Sequence, residues 1–470
     1  MTRPLPRIIQ GGMGVGVSSW QLARAVAQAG HLGVVSGTAL DVSLARRLQD
    51  GDPTGDLRRA LHAFPDLAMA QRVLDRYFRP GGRPPGTPYR PVPRPAVQSR
   101  TAADELTVVA NFVEVWLARE GHDGTVGINY LEKIQVATPA AALGALLAGV
   151  DYVLMGAGIP RQIPRMLTDL AAGRPGGVDV EVDGGDPVRV EIDPRGLLAE
   201  HLPALSRPHF LAIVSATVLA SYLAREESTR PDGFVIEGHR AGGHNAPPRT
   251  KDTSDDGEPV YGPRDEVDLG KVATLGLPFW LAGGYGSPTR LAEALAAGAT
   301  GVQVGSLFAL AEESGLRPDL KESLRRRLSS GHLDVRTRAD ASPTGFPFKV
   351  AAVPGTVADP EVHATRPRLC DLGYLRTPFR TADGHLGYRC AAEPVDVFVR
   401  KGGDPTATTG RVCLCNALLA TVGLAQTRPD GFTEPPLLTL GSDLDSLETL
   451  AARHPEGWTA TQALRFLEPA

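Results

Sequence analysis

The sequence predicts an α/β protein built as a (β/α)8 TIM barrel with insertions and a smaller C-terminal region. Eight short runs rich in apolar and β-branched residues alternate with segments whose apolar residues recur three or four positions apart. Eight strands alternating with helices is the number expected of such a barrel. A doubly wound open sheet is the alternative, and the glycine motifs that follow several runs favour the barrel.

Between the fourth and the fifth predicted strands lies a region in which strand-like and helix-like segments do not alternate regularly. The predicted strands are Arg7–Gln10, Gly33–Ser36, Val126–Asn129, Tyr152–Met155, Phe210–Val214, Phe234–Glu237, Phe279–Ala282 and Gly301–Val304. Helical spacing of apolar residues is clearest in SWQLARAVAQAG, TPAAALGALLAG and SPTRLAEALAAGA. These three segments are predicted to be amphipathic helices that cover the barrel.

Composition and charge exclude several classes of protein. The chain has 470 residues, 42% of them hydrophobic, and a formal net charge of −4. It therefore lacks the excess of basic residues expected of a protein that binds nucleic acid or an anionic membrane. The N-terminus lacks the apolar core of a signal peptide, and the longest apolar stretch, FLAIVSATVLASYLA, is too short to span a bilayer. Four cysteines in this length are not a secreted disulfide framework. We expect a soluble cytoplasmic protein.

Three segments interrupt a minimal barrel. Residues 79–100 contain too many prolines for regular structure and should run extended over the surface. Residues 175–205 contain alternating polar and apolar residues about the turn DGGD, which predicts an exposed hairpin at 178–192. Residues 246–267 form a polar loop that either covers a site or is a solvated insertion.

Domain boundaries follow from where the alternation of strands and helices stops. We predict a barrel domain at residues 1–340 and a C-terminal region of unknown role at residues 341–470, which contains all four cysteines. Tyr89 and Tyr261 lie in the proline-rich and polar insertions. Both are expected to be exposed loop aromatics, with capping of a pocket as the alternative.

Two glycine motifs after the seventh and eighth strands predict a phosphate site. In such barrels the active site lies at the C-terminal ends of the strands, and phosphate often binds after strands seven and eight. AGGYGS follows the seventh strand and QVGS ends the eighth, and each offers backbone N–H groups near a helix start. The candidate residues are Gly283, Gly284, Gln303, Val304, Gly305 and Ser306.

Further glycines and amides at other strand ends predict a planar cofactor. EGHRAGGH follows the sixth strand, QGGMGVG ends the first, GAG ends the fourth, and Asn129 ends the third. Glycines let a flat ring approach the backbone, and His244 would lie beside that ring. The candidates added here are Gly12, Met13, Gly14, Asn129, Gly242 and Gly243. A planar ring with a phosphate tail is most economically flavin mononucleotide (FMN).

The order of these motifs resembles the nitronate monooxygenase family, formerly known as 2-nitropropane dioxygenase, which is related to FMN-dependent enoyl-acyl-carrier-protein reductases. The resemblance covers roughly residues 5–315. It implies that Met13 and its neighbouring glycines pack near the isoalloxazine, and that His244 acts as a base or positioning group. The residues that would hold FMN by the resemblance are Asn129, Glu237, Gly242, Gly283 or Gly284, and Gln303 to Ser306.

Some positions depart from the family pattern. Arg240 stands where the family usually has an acidic residue, NAPP follows His244, and the phosphate motif reads GS instead of GT. His239 is outside the pattern and is expected to be mainly structural. These departures leave FMN binding intact and affect the identity of the substrate.

The resemblance implies an FMN-dependent oxidoreductase that oxidises alkyl nitronates or nitroalkanes with dioxygen. An FMN-dependent enoyl-thioester reductase using NAD(P)H is the first alternative, and a flavin-binding accessory subunit of a biosynthetic complex is an alternative of another class. The expected partners are a small-molecule substrate, nitronate or enoyl thioester, and a second copy in a homodimer.

The four cysteines lie close together in sequence. Cys370, Cys390, Cys413 and Cys415 contain no Cys-x-x-Cys knuckle, and the CLC segment is poorly suited to one tetrahedral ion. Buried, reduced thiols are therefore expected, and no metal is predicted. A zinc site, or one cysteine that reaches the flavin, are the alternatives.

Overall fold

A computed structural model describes residues 4–98 and 100–468. The strands are β1 Ile8–Gln10, β2 Leu32–Ser36, β3 Val126–Leu131, β4 Tyr152–Gly156, β5 Gly176–Val180, β6 Val188–Ile192, β7 His209–Val214, β8 Gly233–Glu237, β9 Phe279–Ala282, β10 Gly301–Val304, β11 Val335–Arg338, β12 Phe348–Ala351, β13 Thr377–Arg380 and β14 Leu386–Arg389.

The helices surround these strands. They are α1 Trp20–Gln28, α2 Leu40–Gln49, α3 Asp56–His62, α4 Leu67–Tyr77, α5 Thr101–Arg119, α6 Thr138–Leu147, α7 Ile163–Ala171, α8 Pro194–Leu198, α9 Thr217–Ala224, α10 Leu269–Ala273, α11 Pro288–Ala296, α12 Ser306–Ala309, α13 Pro318–Ser329, α14 Pro360–Thr365, α15 Val395–Arg400, α16 Leu414–Thr421, α17 Asp445–Arg453 and α18 Ala460–Leu467.

Eight of the described strands close into a parallel barrel in the order β1-β10-β9-β8-β7-β4-β3-β2. The predicted barrel is therefore confirmed, and each predicted barrel strand agrees with an observed one to within two residues at either end. Alternate side chains of the strands, among them Ile9, Leu154 and Trp280, form a separate buried cluster. The other strand faces pack against the helices in the main core, which leaves the C-terminal strand ends free to build a site.

Local signals explain why the predicted helices begin where they do. The Ser19 side chain caps α1 by accepting a hydrogen bond from the Leu22 amide at 3.2 Å. Ser287 caps α11 in the same way, and Pro288 occupies the first turn, where its missing N–H is not needed. Such a cap contributes about 1 kcal/mol. The helical segments predicted from apolar spacing at α1, α6 and α11 are confirmed.

The proline-rich insertion 79–100 has no helix or strand in its described part, residues 79–98 and 100; Ser99 lies outside the described residues. The expectation that Tyr89 is an exposed loop aromatic is wrong. Tyr89 is only 2% exposed, and its hydroxyl donates a 2.6 Å hydrogen bond to Asp50. The guanidinium of Arg83 lies 3.7 Å from the centre of its ring. The aromatic ring thus anchors an otherwise irregular segment to the barrel.

The predicted hairpin is present as the antiparallel pair β5–β6, with Gly176 opposite Ile192 and Val180 opposite Val188. The expectation of an exposed hairpin is wrong for one of its faces. Val178, Val180, Val190 and Ile192 are at most 5% exposed and belong to the main core. The alternation of the sequence explains this result, since it places the apolar residues of both strands on one face.

The C-terminal residues pack directly on the barrel. The indole of Trp458 donates a 2.8 Å hydrogen bond to the Leu307 carbonyl, and α17 and α18 contact barrel helices. The hairpin β11–β12 spans the predicted boundary at residue 340. The division into two regions stays a prediction, while the packing places residues from both sides of that boundary at the mouth of the barrel.

No helix in the described ranges is both long enough and apolar enough to cross a membrane.

Candidate functional site

A cavity of about 280 Å³ opens at the C-terminal ends of the barrel strands. Every site residue predicted from the sequence lines it. These residues are Gly12, Met13, Gly14, Asn129, Glu237, Gly242, Gly243, His244, Gly283, Gly284, Gln303, Val304, Gly305 and Ser306. Residues far apart in the chain meet here because parallel strands end at the same rim of the barrel. Their individual roles stay predictions.

Two glycines of the cavity are required by close packing. A Cβ atom on Gly12 would lie 2.2 Å from the Cβ of Asn129, at the neighbouring end of β3. Gly283 has a φ of +81°, and a Cβ there would lie 2.6 Å from the Gly238 carbonyl oxygen. A side chain would clash with Asn129 of β3 at the first position and with the backbone that follows β8 at the second. The glycines therefore fix the width of the cavity at both sites.

Two buried amide oxygens in the cavity wall have no partner. Asn129 Oδ1 and Gln303 Oε1 accept no hydrogen bond from the described protein, although the Asn129 Nδ2 group donates to the Gly12 carbonyl at 3.5 Å. An unsatisfied buried acceptor costs about 1–3 kcal/mol, so these oxygens are suited to a ligand that carries N–H or O–H donors. FMN has such donors in its ribityl hydroxyls and its ring imide. The residues present fit this group.

The cavity has a cationic residue near its predicted phosphate end. Arg240 is the one lysine or arginine among its described lining residues. Its Cδ atom would lie 3.3 Å from a Cβ built on Gly284, so the arginine side chain runs beside the predicted phosphate glycines. Asp443 lies beside the same glycine and opposes this charge. The Ser306 hydroxyl accepts a 2.9 Å hydrogen bond from the Gly441 amide.

Glu237 ends β8 in the wall of the cavity. Burial raises the pKa of its carboxyl group to about 7. At neutral pH the group is therefore partly protonated, and its protonated form can donate a hydrogen bond to a ligand.

His244 is held by residues that follow the barrel. Its Nε2 atom lies 2.7 Å from Ser342 Oγ, which in turn lies 2.8 Å from Thr344 Oγ1. The ring packs edge-on against Phe348, with a centroid distance of 4.9 Å. Burial, with a smaller contribution from the nearby Lys133 ammonium, lowers the pKa of His244 to about 3. The imidazole is consequently neutral at physiological pH.

His239, the other histidine of the motif, lies outside the cavity lining. Its ring stacks on Tyr261 of the polar loop at a centroid distance of 4.6 Å. Tyr261 also donates a 2.9 Å hydrogen bond to the Ala246 carbonyl, closing the loop on itself. No described residue of the loop 246–267 lines the cavity, so the loop does not cover it in this structure.

The C-terminal region forms a part of the cavity wall that the sequence did not predict. This wall consists of Phe348, Tyr374, Leu375, Leu414, Cys415, Leu418, Thr421, Leu437, Leu438, Thr439, Leu440, Gly441, Asp443, Ser446 and Leu447. These residues follow no strand-end pattern, and the only signal that could have indicated them was the apolar run PPLLTLG after the last cysteine.

Within the described residues, no group of three or more His, Cys, Asp or Glu could hold a metal ion.

Solved structures with a similar arrangement have low sequence identity. FabK from Thermotoga maritima is 18% identical with a TM-score of 0.48, and the match covers 98% of this chain and 91% of that one. Nitroalkane oxidase from Streptomyces ansochromogenes is 16% identical with a TM-score of 0.46, covering 99% and 94%. At these values the similarities support no inference about activity.

A curated relative from Mycobacterium tuberculosis, (3aS,4S,5R,7aS)-5-hydroxy-7a-methyl-1-oxo-octahydro-1H-indene-4-carboxyl-CoA dehydrogenase, is 29% identical over 222 residues. The match covers 43% of this chain and 58% of the relative, so the chain spans little more than half of the relative's length. Residues 197–338, which contain strands β7 to β10 and the EGHRAGGH, AGGYGS and QVGS motifs, match the family model described as nitronate monooxygenase. The resemblance of this chain to the nitronate monooxygenase family is thereby confirmed.

Proposed function

We propose that the chain is an FMN-dependent oxidoreductase whose flavin lies in the barrel-mouth cavity. One observation carries the proposal: the cavity gathers all the predicted strand-end residues around two buried amide oxygens that need donors. The bound flavin would supply the redox chemistry, accepting electrons from a substrate and passing them to dioxygen. The protein supplies binding, orientation and exclusion of water.

The two ends of the cavity suit the two ends of the cofactor. Asn129 and Gln303 would accept hydrogen bonds from the ring and ribityl donors, with Met13 packed near the isoalloxazine. Gly283, Gly284 and Ser306 would bind the phosphate through backbone N–H groups and a hydroxyl, with Arg240 alongside. A phosphate dianion at this end is favoured by the arginine, which the family pattern does not contain.

The surroundings of His244 favour a positioning role for its imidazole over the role of a general base. A base is most effective when its pKa lies near the working pH, whereas burial lowers the pKa of His244 to about 3. We infer that Ser342 donates its hydroxyl hydrogen to Nε2, which leaves Nδ1–H as a hydrogen-bond donor for an anionic ligand. An alkyl nitronate is such an anion and requires no removal of a carbon-bound proton.

The test is an anaerobic titration of the purified protein. We expect a flavin absorption spectrum, or its appearance when FMN is added, and bleaching by a short alkyl nitronate but not by NADH or NADPH. Near neutral pH, the pH dependence of the rate with nitronate should have the same shape in the wild type and in His244→Ala. The reason is that the wild-type imidazole does not titrate in this range. If FMN neither co-purifies nor binds, the cofactor assignment is wrong.

A second candidate is an oxidoreductase acting on a thioester. The relative from Mycobacterium tuberculosis carries a carboxyl-CoA dehydrogenase name, which indicates a thioester substrate for that protein. Bleaching of the flavin by NADH or NADPH, followed by reoxidation with an enoyl thioester, would favour this candidate over nitronate oxidation. Bleaching by neither donor would favour a flavin-binding subunit of a larger complex.

A further inference from the structure

The four cysteines form one cluster beside the cavity. Cys390 and Cys413 are buried together, and Cys370 and Cys415 pack against them. All four are free thiols in this structure. They come from three separate segments of the C-terminal region, so the fold, and not sequence proximity alone, brings them together.

The pKa of each thiol is influenced most by one neighbouring thiol, Cys390 in the case of Cys370 and Cys415 in the case of Cys413. The hydrogen bond from Cys415 lowers the pKa of Cys413 to about 7. The same contact, together with burial, raises the pKa of Cys415 well above its usual value. Cys413 is therefore the more acidic thiol of the pair and the one that supplies the thiolate, while Cys415 keeps its proton.

Polar groups around the pair stabilise the thiolate. The Asn416 side-chain amide donates to Cys413 Sγ at 3.5 Å, and the Arg366 guanidinium lowers the pKa of Cys413 further. Glu434, which pairs with Arg366, opposes this effect. Electropositive surroundings are one of the features that activate a cysteine, and Cys415, which lines the cavity, gives the buried pair its access to a ligand.

The position of Cys415 connects the cluster to the cavity. Cys415 lies in the first turn of α16 and lines the cavity wall. Leu418, one turn further along α16, lies 3.7 Å from the position of a Cβ on Gly14. Gly14 belongs to the segment predicted to face the isoalloxazine, so the face of α16 that contains Cys415 and Leu418 borders the predicted ring end of the cavity.

We propose that Cys413 and Cys415 form a dithiol–disulfide couple that exchanges an electron pair with a flavin bound in the cavity. This inference rests on the proposed function. When the couple is oxidised, one S–S bond forms between the Cys413 thiolate and the Cys415 sulfur, and the single proton of the Cys415 thiol is released. The two electrons pass to oxidised flavin, which takes up that proton and becomes the anionic two-electron-reduced form. Flavin reduced by substrate reopens the disulfide in the reverse direction.

The experiment measures thiols in the flavin-loaded protein under anaerobic conditions. Samples with oxidised flavin, and with flavin reduced by dithionite, are quenched in acid, alkylated with iodoacetamide and digested with trypsin. Residues 412–453 form one tryptic peptide that contains both cysteines and neither Cys370 nor Cys390, because trypsin does not cleave the Arg428–Pro429 bond. We expect a fraction of this peptide to be unalkylated and lighter by two hydrogen atoms with oxidised flavin, and doubly alkylated after reduction.

Two variants serve as controls. Cys370→Ser should leave the mass change of the peptide intact, because Cys370 does not line the cavity. Cys415→Ser should abolish it and leave Cys413 alkylated in both states. The flavin absorption spectrum is recorded for each sample, so a loss of cofactor is distinguished from a loss of thiol chemistry.

Several results would overturn the inference. Double alkylation of the peptide in both states, with FMN bound, refutes the couple and leaves the proposed function standing. A disulfide from Cys413 to Cys370 or Cys390 refutes the assigned pair. One equivalent of zinc retained by the wild type and lost in Cys370→Ser would assign the cluster to metal binding instead. Failure to bind FMN removes both the couple and the proposed function.

Discussion

His244 Nε2 and Ser342 Oγ lie 2.7 Å apart, which joins the end of a barrel strand to a residue almost a hundred positions further along the chain. Ser342 is completely buried and also contacts the Thr344 hydroxyl at 2.8 Å. This arrangement fixes the imidazole plane and selects one of its tautomers. The imidazole of His244, which the nitronate monooxygenase pattern assigns to the site, is thus oriented by Ser342, which lies outside that pattern.

Replacing Ser342 with Ala should lower the turnover of the proposed reaction roughly fivefold, since the imidazole loses a hydrogen bond of about 1 kcal/mol that orients it. FMN affinity should be unchanged, because Ser342 does not line the cavity. Steady-state rates and a fluorescence titration with FMN measure the two quantities. Thr344→Val, which removes a hydroxyl that does not contact His244, is the matched control. Equal losses in both variants would mean that Ser342 does not act through His244.

Replacing Gly12 with Ala should abolish FMN binding or destabilise the fold by a few kcal/mol, since the new Cβ would lie 2.2 Å from the Asn129 Cβ. Thermal unfolding and FMN titration measure the two effects. Gly262→Ala is the control, because a Cβ there meets no atom within 4 Å. Wild-type FMN affinity and stability in Gly12→Ala would contradict the close approach of the segment after β1 to Asn129 of β3.

The barrel could be predicted from the sequence because its signals are local. Buried parallel strands appear as short apolar runs, and the glycine motifs mark where β1, β8, β9 and β10 end at one rim. The candidate cavity residues followed from the same rule, since parallel strands bring their C-terminal ends together whatever their separation in sequence. The barrel and the residues at the C-terminal ends of its strands could therefore be predicted without knowledge of contacts between distant parts of the chain.

The remaining features depend on tertiary contacts that leave no periodic trace. Ser342 contacts His244, and Cys415 reaches the cavity, only because the C-terminal region folds back over the barrel mouth. Tyr89 is buried through contacts with Asp50 and Arg83, although its proline-rich surroundings indicate an exposed loop. The low pKa of His244 likewise arises from burial and from Lys133, neither of which its motif reveals.

Replacing Arg240 with Ala should weaken the binding of FMN roughly tenfold and leave riboflavin binding unchanged, because the guanidinium would interact with the phosphate alone. The ratio of the two dissociation constants, measured by fluorescence quenching, isolates this charge. Arg249→Ala removes an arginine from the polar loop outside the cavity lining and serves as the control. A parallel loss of riboflavin affinity would place Arg240 near the ring instead of the phosphate.

Glu237 should make the stability of the apoprotein fall as the pH rises. Its carboxyl group has a pKa of about 7 in the folded protein, raised by burial from the ordinary 4.5. Below 4.5 the group is protonated in both the folded and the unfolded state and imposes no penalty. Between 4.5 and 7 the unfolded chain releases the proton while the folded protein retains it, so the free energy of unfolding decreases, by at most about 3 kcal/mol.

Glu237→Gln removes this titration, because the amide remains neutral at every pH. The difference in melting temperature between Glu237→Gln and the wild type should therefore increase as the pH rises through this range and level off above it. Glu200→Gln, at an exposed position, controls for the general loss of one negative charge. Added FMN should reduce the difference if the protonated Glu237 carboxyl donates a hydrogen bond to the cofactor. A melting-temperature difference independent of pH would show that the folded and unfolded states bind this proton equally well, and that Glu237 is solvated in the cavity.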